Sequence, residues 1–245
     1  MPVRFAFLFI VAWIAALPVR GTHILGGQLY YDHLGADAYA VTLKLYRDCG
    51  PNNTNGTDFD LSAEIGVFDA SGTYLFSQFL SFPGGVPVWA TLSDPCLTVP
   101  PTICVEEATY SGIFTLPGGT GGYVLSYQRC CRTPIILNLN APDTQGITCT
   151  VLVPDVSITG DNSSPRFETY PPIAMCVNEP MVFDHSAVDP DGDSLVYALC
   201  APFQGGDQLN PLPSPPDPPG YVGVIYALGY SALDPINGSP AMNVD

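Results

Sequence analysis

The stretch Tyr39-Ala40-Val41-Thr42-Leu43-Lys44-Leu45-Tyr46 decides the fold class, because its apolar side chains recur at every second position. That period is typical of a β-strand with one buried face. Five other short runs are rich in β-branched and aromatic residues: Glu64–Phe68, Thr73–Phe76, Tyr110–Leu116, Tyr123–Tyr127 and Thr148–Val153. With 24 Gly and 26 Pro in 245 residues, the chain offers no long amphipathic helix. The sequence therefore predicts an all-β protein.

Turn-forming residues separate these runs and indicate the architecture. Asp69–Gly72 joins two of the runs as a hairpin, and Pro117–Gly122 joins two others. Short strands at this spacing are typical of a β-sandwich or barrel.

A polar cluster of turn formers, Asp161–Pro165, marks a domain boundary. We expect a first β-sandwich domain over residues 22–160 and a second domain over residues 165–245. The second domain has three predicted strands: Pro180–His185, Leu195–Cys200 and Tyr221–Leu228. A sandwich usually needs about seven strands, so we expect the second domain to be incomplete and the chain to be a fragment of a longer protein.

The N-terminus has the pattern of a secretory signal peptide. Arg4 precedes an apolar run from Phe5 to Leu17, which is shorter than the roughly 20 residues of a membrane-spanning helix. We predict that residues 1–21 are removed by cleavage after Gly21, with Ala16 as an alternative end. An uncleaved N-terminal anchor is the other interpretation. Cleavage predicts a protein that is secreted or displayed on the cell surface, with no membrane insertion after signal removal.

The chain is strongly acidic, with a formal net charge of −16. Signal removal leaves five basic residues against 23 acidic ones, and the basic residues are scattered singly or in pairs: Lys44, Arg47, Arg129, Arg132 and Arg166. Nucleic acids and anionic membranes bind through clusters of basic side chains, so both are excluded as partners. The acidity suits divalent cations, and solvated surface carboxylates explain it equally well.

Eight cysteines in an exported chain predict disulfides, and we expect all eight to be oxidised. The histidines His23, His33 and His185 do not have zinc-ligand spacing relative to the cysteines. We predict the pairs Cys96–Cys104, which encloses a Pro-rich loop, and Cys176–Cys200, which flanks a hairpin-like unit. The pairing of the other four cysteines is left open: Cys49, Cys130, Cys131 and Cys149. Cys130 and Cys131 are adjacent, so in a strand their side chains point to opposite faces and need separate partners.

The turn Asp189-Pro190-Asp191-Gly192-Asp193 is a candidate metal site. Its three carboxylates, Asp189, Asp191 and Asp193, alternate along a tight turn and could direct oxygen ligands to one structural Ca²⁺. Glycine and glutamate do not stand where an EF-hand loop needs them. The second interpretation is a β-turn whose carboxylates are solvated or accept backbone hydrogen bonds.

Patterns typical of enzymes are missing from the sequence, including the nucleophile elbow, the phosphate loop and the metalloprotease helix. Glu106 and Glu107 are adjacent, so in a strand they face opposite ways and cannot flank one glycosidic bond. We predict that the chain is not an enzyme.

Several stretches together resemble the N-terminal region of large secreted surface proteins of Bacteroidetes-type bacteria. Those proteins carry PKD, Ig-like or cadherin-like repeats and end in a gliding-motility-associated or type IX secretion sorting domain. The matching stretches span residues 22 to about 200: Thr22–Gly27, Leu45–Cys49, Asp94–Cys96, Cys104–Glu107, Tyr127–Arg132, Asn162–Pro165, Cys176–Pro180, Asp184–Ala187 and Asp189–Tyr197. Tyr127-Gln128-Arg129-Cys130-Cys131-Arg132 is the most distinctive of them. No C-terminal sorting domain is present in these 245 residues.

The resemblance implies tandem Ig-like or cadherin-like β-sandwich domains, disulfide-stapled, in an extracellular adhesion or matrix-type protein that binds a surface glycan or protein. One alternative is a carbohydrate-binding module of a larger secreted enzyme, for which four aromatic residues are candidate platforms: Tyr30, Tyr31, Trp89 and Tyr110. Another is a self-associating subunit of an extracellular fibre, which predicts an unpaired edge strand.

Overall fold

The computed structural model describes residues 23–50, 58–88, 102–118, 121–174 and 182–236. Within these ranges, the first eight strands form two four-stranded antiparallel sheets. These strands are β1 (Ile24–Gly35), β2 (Ala38–Asp48), β3 (Ser62–Asp69), β4 (Tyr74–Ser81), β5 (Gly85–Pro87), β6 (Val105–Thr115), β7 (Tyr123–Arg129) and β8 (Ile147–Val153). A single-turn helix α1 (Val156–Thr159) and a 3₁₀ turn (Pro142–Thr144) follow β8 and β7 respectively. The predicted all-β class is confirmed.

The two sheets pack face to face as a β-sandwich. The first sheet has the order β1-β2-β6-β5, and the second has the order β4-β3-β7-β8. β1 packs on β8, and β4 packs on β6. The alternation seen in the sequence places Tyr39, Val41, Leu43 and Leu45 of β2 in the core, all at most 3% exposed. They meet residues of the second sheet that are equally buried, such as Ile65 and Leu125.

A disulfide joins Cys49 to Cys104, with the two Cα atoms 4.9 Å apart. Because β2 pairs with β6 through Asp48 and Val105, the bridge lies one position beyond that ladder. The predicted Cys96–Cys104 pair is therefore wrong, since the register of β2 and β6 brings Cys104 beside Cys49, which is 55 residues away in the sequence. Cys96 itself lies outside the described residues.

Cys130 and Cys131 form a disulfide with each other across a cis peptide bond. The prediction that they need separate partners was wrong. β7 ends at Arg129, so the two cysteines lie beyond the strand and the alternation of strand side chains does not apply to them. Both are buried, and the backbone N–H of Cys130 donates to the carbonyl of Pro211 at 2.8 Å.

Cys149 is a free, buried thiol, so the prediction that all eight cysteines are oxidised is wrong at this position. Its sulfur lies between the sheets, close to Gly27 of β1. Cys200 is exposed and forms no disulfide with a described residue. Cys176, its predicted partner, lies outside the described residues, as does the predicted signal peptide.

The described part of residues 165–236 contains two regular strands, β9 (Arg166–Phe167) and β10 (Ala187–Val188), which pair with each other. Leu195–Cys200 was predicted as a strand, but it is irregular, and Val196 is 96% exposed. A strand needs a hydrogen-bonding neighbour, and none among the described residues lies beside this run. Tyr221–Leu228 makes two isolated bridges through Gly223 and Tyr226 in place of the predicted strand.

The Pro-rich segment 201–228 covers the outer face of the second sheet. Thr148 N–H of β8 donates to the Phe203 carbonyl at 3.2 Å, and the Asp217 N–H donates to the Gln128 side chain at 2.8 Å. Phe68 and Ser126 point outward from this sheet, yet both are fully buried. The segment predicted as a separate domain thus contacts the first sandwich directly. Within the described ranges, no helix has the length and apolar character needed to span a membrane.

Candidate functional site

A cluster of polar and aromatic side chains lies on the outer face of the first sheet. We call it the Glu107 cluster, and its members are Lys44, Tyr46, Glu107, Thr109 and Tyr170. Lys44 and Tyr46 alternate with buried residues of β2, and β6 places Glu107 directly opposite Tyr46. Tyr170 arrives from the chain that follows β9.

Glu107 is the centre of this cluster. Its carboxylate accepts hydrogen bonds from the hydroxyls of Thr109 at 2.8 Å and Tyr170 at 2.6 Å. The Lys44 ammonium lies 3.7 Å away, and the rings of Tyr46 and Tyr170 meet edge to face at 6.1 Å. Burial raises the pKa of Tyr46, and the neighbouring Glu107 carboxylate adds to the shift. The hydrogen bond to Glu107 raises the pKa of Tyr170 to about 12.

A shallow groove adjoins the cluster. It has a volume of about 280 Å³ and is lined by Val86, Pro87, Val88, Glu107 and Tyr170. Val86 is 64% exposed and Tyr170 is 45% exposed, so an apolar side chain and an aromatic ring border one carboxylate. An aromatic ring beside fixed polar groups is the usual composition of a small binding site.

The four aromatic platform candidates have different environments. Tyr31 and Tyr110 are each 1% exposed and belong to the core. Trp89 lies outside the described residues. Tyr30 is half-buried, and the Arg166 guanidinium lies over its ring, with the central carbon 4.9 Å from the ring centroid. Tyr30 alone therefore keeps a surface position among the three described candidates.

Glu106 and Glu107 face opposite ways, as the alternation of β6 predicts. Arg47 donates to the Glu106 carboxylate at 2.6 and 2.8 Å, while Glu107 bonds within its own cluster on the other face. The two carboxylates therefore do not share a substrate position.

The three histidines lie in different environments. The His33 ring lies 3.3 Å from Asp161 through Nδ1 and 2.8 Å from the Ala36 carbonyl through Nε2. His185 stacks on Phe167 with ring centroids 4.2 Å apart. His23 lines a separate cleft with Asp48, and burial lowers its pKa.

The Asp189 turn contacts the linker that leaves the first sandwich. Asp189 accepts hydrogen bonds from the backbone N–H groups of Asp191 at 2.9 Å and Asp193 at 3.1 Å. Asp193 accepts from the Asn162 amide at 3.0 Å, and Asp191 accepts from the Ser163 N–H. Among the described residues, no three His, Cys, Asp or Glu side chains converge as a metal site. These hydrogen bonds favour the second interpretation, a β-turn with carboxylates as acceptors, and calcium binding stays the alternative.

Comparison of the chain with protein-family models, with curated proteins and with solved structures finds no match.

Sequence reasoning missed the Glu107 cluster as a unit. The period of two in β2 could have placed Lys44 and Tyr46 on one face. Tyr170 could not have been placed there, because it lies 63 residues from Glu107 in an irregular segment with no periodic signal.

Proposed function

We propose that this chain is part of an extracellular adhesion or matrix-type protein and acts as a non-catalytic binding and structural module. The observation that carries the proposal is the pair of disulfides, Cys49–Cys104 and Cys130–Cys131, within one small sandwich. Disulfides of this kind persist in oxidising compartments outside the cytoplasm. The resemblance to Bacteroidetes-type surface proteins with PKD, Ig-like or cadherin-like repeats supports the same role.

The groove beside Tyr170 is the binding site in this proposal. Its partner is a surface glycan or protein. Glu107 and Tyr170 hold each other in a fixed geometry, and Val86 supplies exposed apolar area next to them. A preorganised site of this kind binds without the cost of ordering its side chains.

A carbohydrate-binding module of a larger secreted enzyme is the second candidate. The exposed ring of Tyr170 beside the Glu107 carboxylate favours it, because sugars commonly stack on an aromatic ring and donate hydroxyl hydrogen bonds to a neighbouring acceptor.

The test is direct binding of the purified full chain to immobilised glycans and to surface proteins. We expect Tyr170→Ala and Val86→Asp to weaken binding at least about tenfold, which is on the order of 1.4 kcal/mol. Tyr74→Ala is the matched control, because Tyr74 is 43% exposed on β4, in the other sheet, and should leave binding unchanged. Binding to glycans alone favours the second candidate. If all variants bind equally, the groove is not the binding site. Turnover of a bound substrate contradicts the non-catalytic role.

A further inference from the structure

Two of the four edge strands of the two sheets, β1 and β8, are covered by other parts of this chain. At β1, the Ser164 N–H donates to the Tyr31 carbonyl at 3.0 Å, and the Tyr31 N–H donates to the Ser164 hydroxyl at 2.8 Å. At β8, Thr148 donates its backbone N–H to Phe203. Unpaired strand edges promote association, and such coverage prevents it.

The edge strand β5 of the first sheet is protected in another way. β5 is three residues long and contains Pro87, which has no N–H to donate. A short strand with proline is a common protection of an edge.

β4 has no comparable protection in the part of the chain that the structure describes. Its register pairs it with β3, and no other described residue hydrogen bonds to its backbone. A register shift opposite Val67 and Phe68 lies near its beginning, and pairing is regular from Phe76 to Ser81. Its exposed side chains are large and apolar, with Leu75 45% exposed and Phe79 61% exposed.

The charge of β4 differs from that of the rest of the molecule. Tyr74-Leu75-Phe76-Ser77-Gln78-Phe79-Leu80-Ser81 contains no charged side chain, although the whole chain has a net charge of −16. Two acidic copies repel each other unless they meet through an uncharged surface. β4 is such a surface, and among the described strands it is also the edge without a covering segment.

We propose that β4 pairs with β4 of a second copy of this chain, in antiparallel orientation, to form a continuous eight-stranded sheet. A two-fold axis normal to the sheet keeps both outer faces on one side, so only residues of the same face can lie opposite each other. Centring the axis on Ser77 places Phe79 of each copy opposite Leu75 of the other, beside the register shift that ends the regular pairing at Phe76. These pairs cover the exposed side chains that the single copy leaves in water.

Analytical ultracentrifugation of the full chain over micromolar to millimolar concentrations tests the pairing. We expect a concentration-dependent dimer, and Ser77→Lys and Phe79→Lys should each raise its dissociation constant at least tenfold. Leu152→Lys is the matched control, since Leu152 is 62% exposed on β8, at the other edge of the same sheet, and it should dimerise as the wild type does. A monomeric wild type, including one whose edge is covered by another segment of the chain, overturns the proposal. Equal dimerisation of the β4 variants and the control overturns it as well.

Cross-linking tests the register in a Cys200→Ser background, which removes the exposed thiol. Ser77→Cys places the two new thiols opposite each other and should form a disulfide-linked dimer under air. Ser81→Cys should not, because the two copies of residue 81 lie about 26 Å apart at about 3.3 Å per residue. Cross-linking of Ser81→Cys at the rate of Ser77→Cys contradicts the register.

Discussion

The ion pair between Arg129 and Asp60 links the end of β7 to the chain before β3. The guanidinium donates to both carboxylate oxygens, at 2.7 and 3.1 Å, and Arg129 also donates to the Pro211 carbonyl at 3.0 Å. The side chains are 10% and 24% exposed, so Asp60→Asn leaves a largely buried charge without its counterion. We expect a loss of about 3 kcal/mol in the free energy of unfolding, measured by urea denaturation.

Asp58→Asn is the control for this prediction. Asp58 pairs with Arg47 at 3.1 Å but is 92% exposed, and exposed pairs contribute less than about 1 kcal/mol. Equal losses in the two variants would contradict the role of burial.

Cys149 should be unreactive in the folded protein. Burial raises the pKa of its thiol from 9.0 to about 12, so little thiolate forms at pH 8. Iodoacetamide labelling followed by mass spectrometry should modify Cys149 only after unfolding. Rapid labelling of the native protein would contradict its burial.

The raised pKa of Cys149 also lowers the free energy of unfolding as the solution becomes alkaline. Above about pH 9 the unfolded thiol ionises while the folded thiol stays protonated, so this residue favours unfolding as pH rises toward 12. Below pH 9.0 the thiol is mostly protonated in both the folded and the unfolded state, so its contribution to the free energy of unfolding is fully present. The wild type should lose more stability than Cys149→Ala over this range, and parallel pH profiles would rule the effect out.

At the scale of the strand, the sequence predicted those elements whose burial is decided locally. β2, β3, β4, β6, β7 and β8 each overlap a predicted run, because one face of each strand meets the core. β1 was missed, since Gly26 and Gly27 interrupt its pattern and its edge is completed by Ser163 and Ser164 from far along the chain. The Leu195–Cys200 run has the composition of a strand, but no strand of the described ranges lies beside it, and composition alone does not provide a hydrogen-bonding neighbour.

The contact between Gly205 and the second sheet has no room for a side chain. A Cβ atom on Gly205 would lie 2.9 Å from the Gln128 side chain and 2.9 Å from the Ile147 carbonyl. Gly205→Ala should therefore displace segment 201–228, lower the melting temperature and expose this segment to protease. Gly26→Ala is the control, because nothing lies within 4 Å of its Cβ position. Equal protease resistance of both variants would show that the segment is not held at this point.

The Asp189 turn should stabilise the protein through its hydrogen bonds to the linker. We expect Asp191→Asn combined with Asp193→Asn to lower the melting temperature by the same amount with and without millimolar Ca²⁺, because both carboxylates already accept protein hydrogen bonds. Thermal unfolding checks this. A calcium-dependent rise of the wild-type melting temperature that the double variant lacks would instead support the calcium site.

At the scale of the whole molecule, the chain after residue 160 completes the sandwich that precedes it. Arg166 pairs with Asp32 of β1, Tyr170 joins the Glu107 cluster, and segment 201–228 covers the second sheet. The composition of the polar linker Asp161–Pro165 predicts a domain boundary, which stays a prediction, and its serines are buried and hydrogen bond to β1. Long-range partners of this kind leave no periodic trace in the sequence.

An extracellular role requires that the chain be accessible from outside the cell. Antibody labelling of intact cells, combined with N-terminal sequencing and disulfide mapping of the labelled protein, measures this directly. We predict labelling without lysis or recovery from the medium, a mature chain that begins at Thr22, and the Cys49–Cys104 bridge intact. Detection only after lysis, with residues 1–21 retained and these cysteines reduced, would contradict an extracellular binding module.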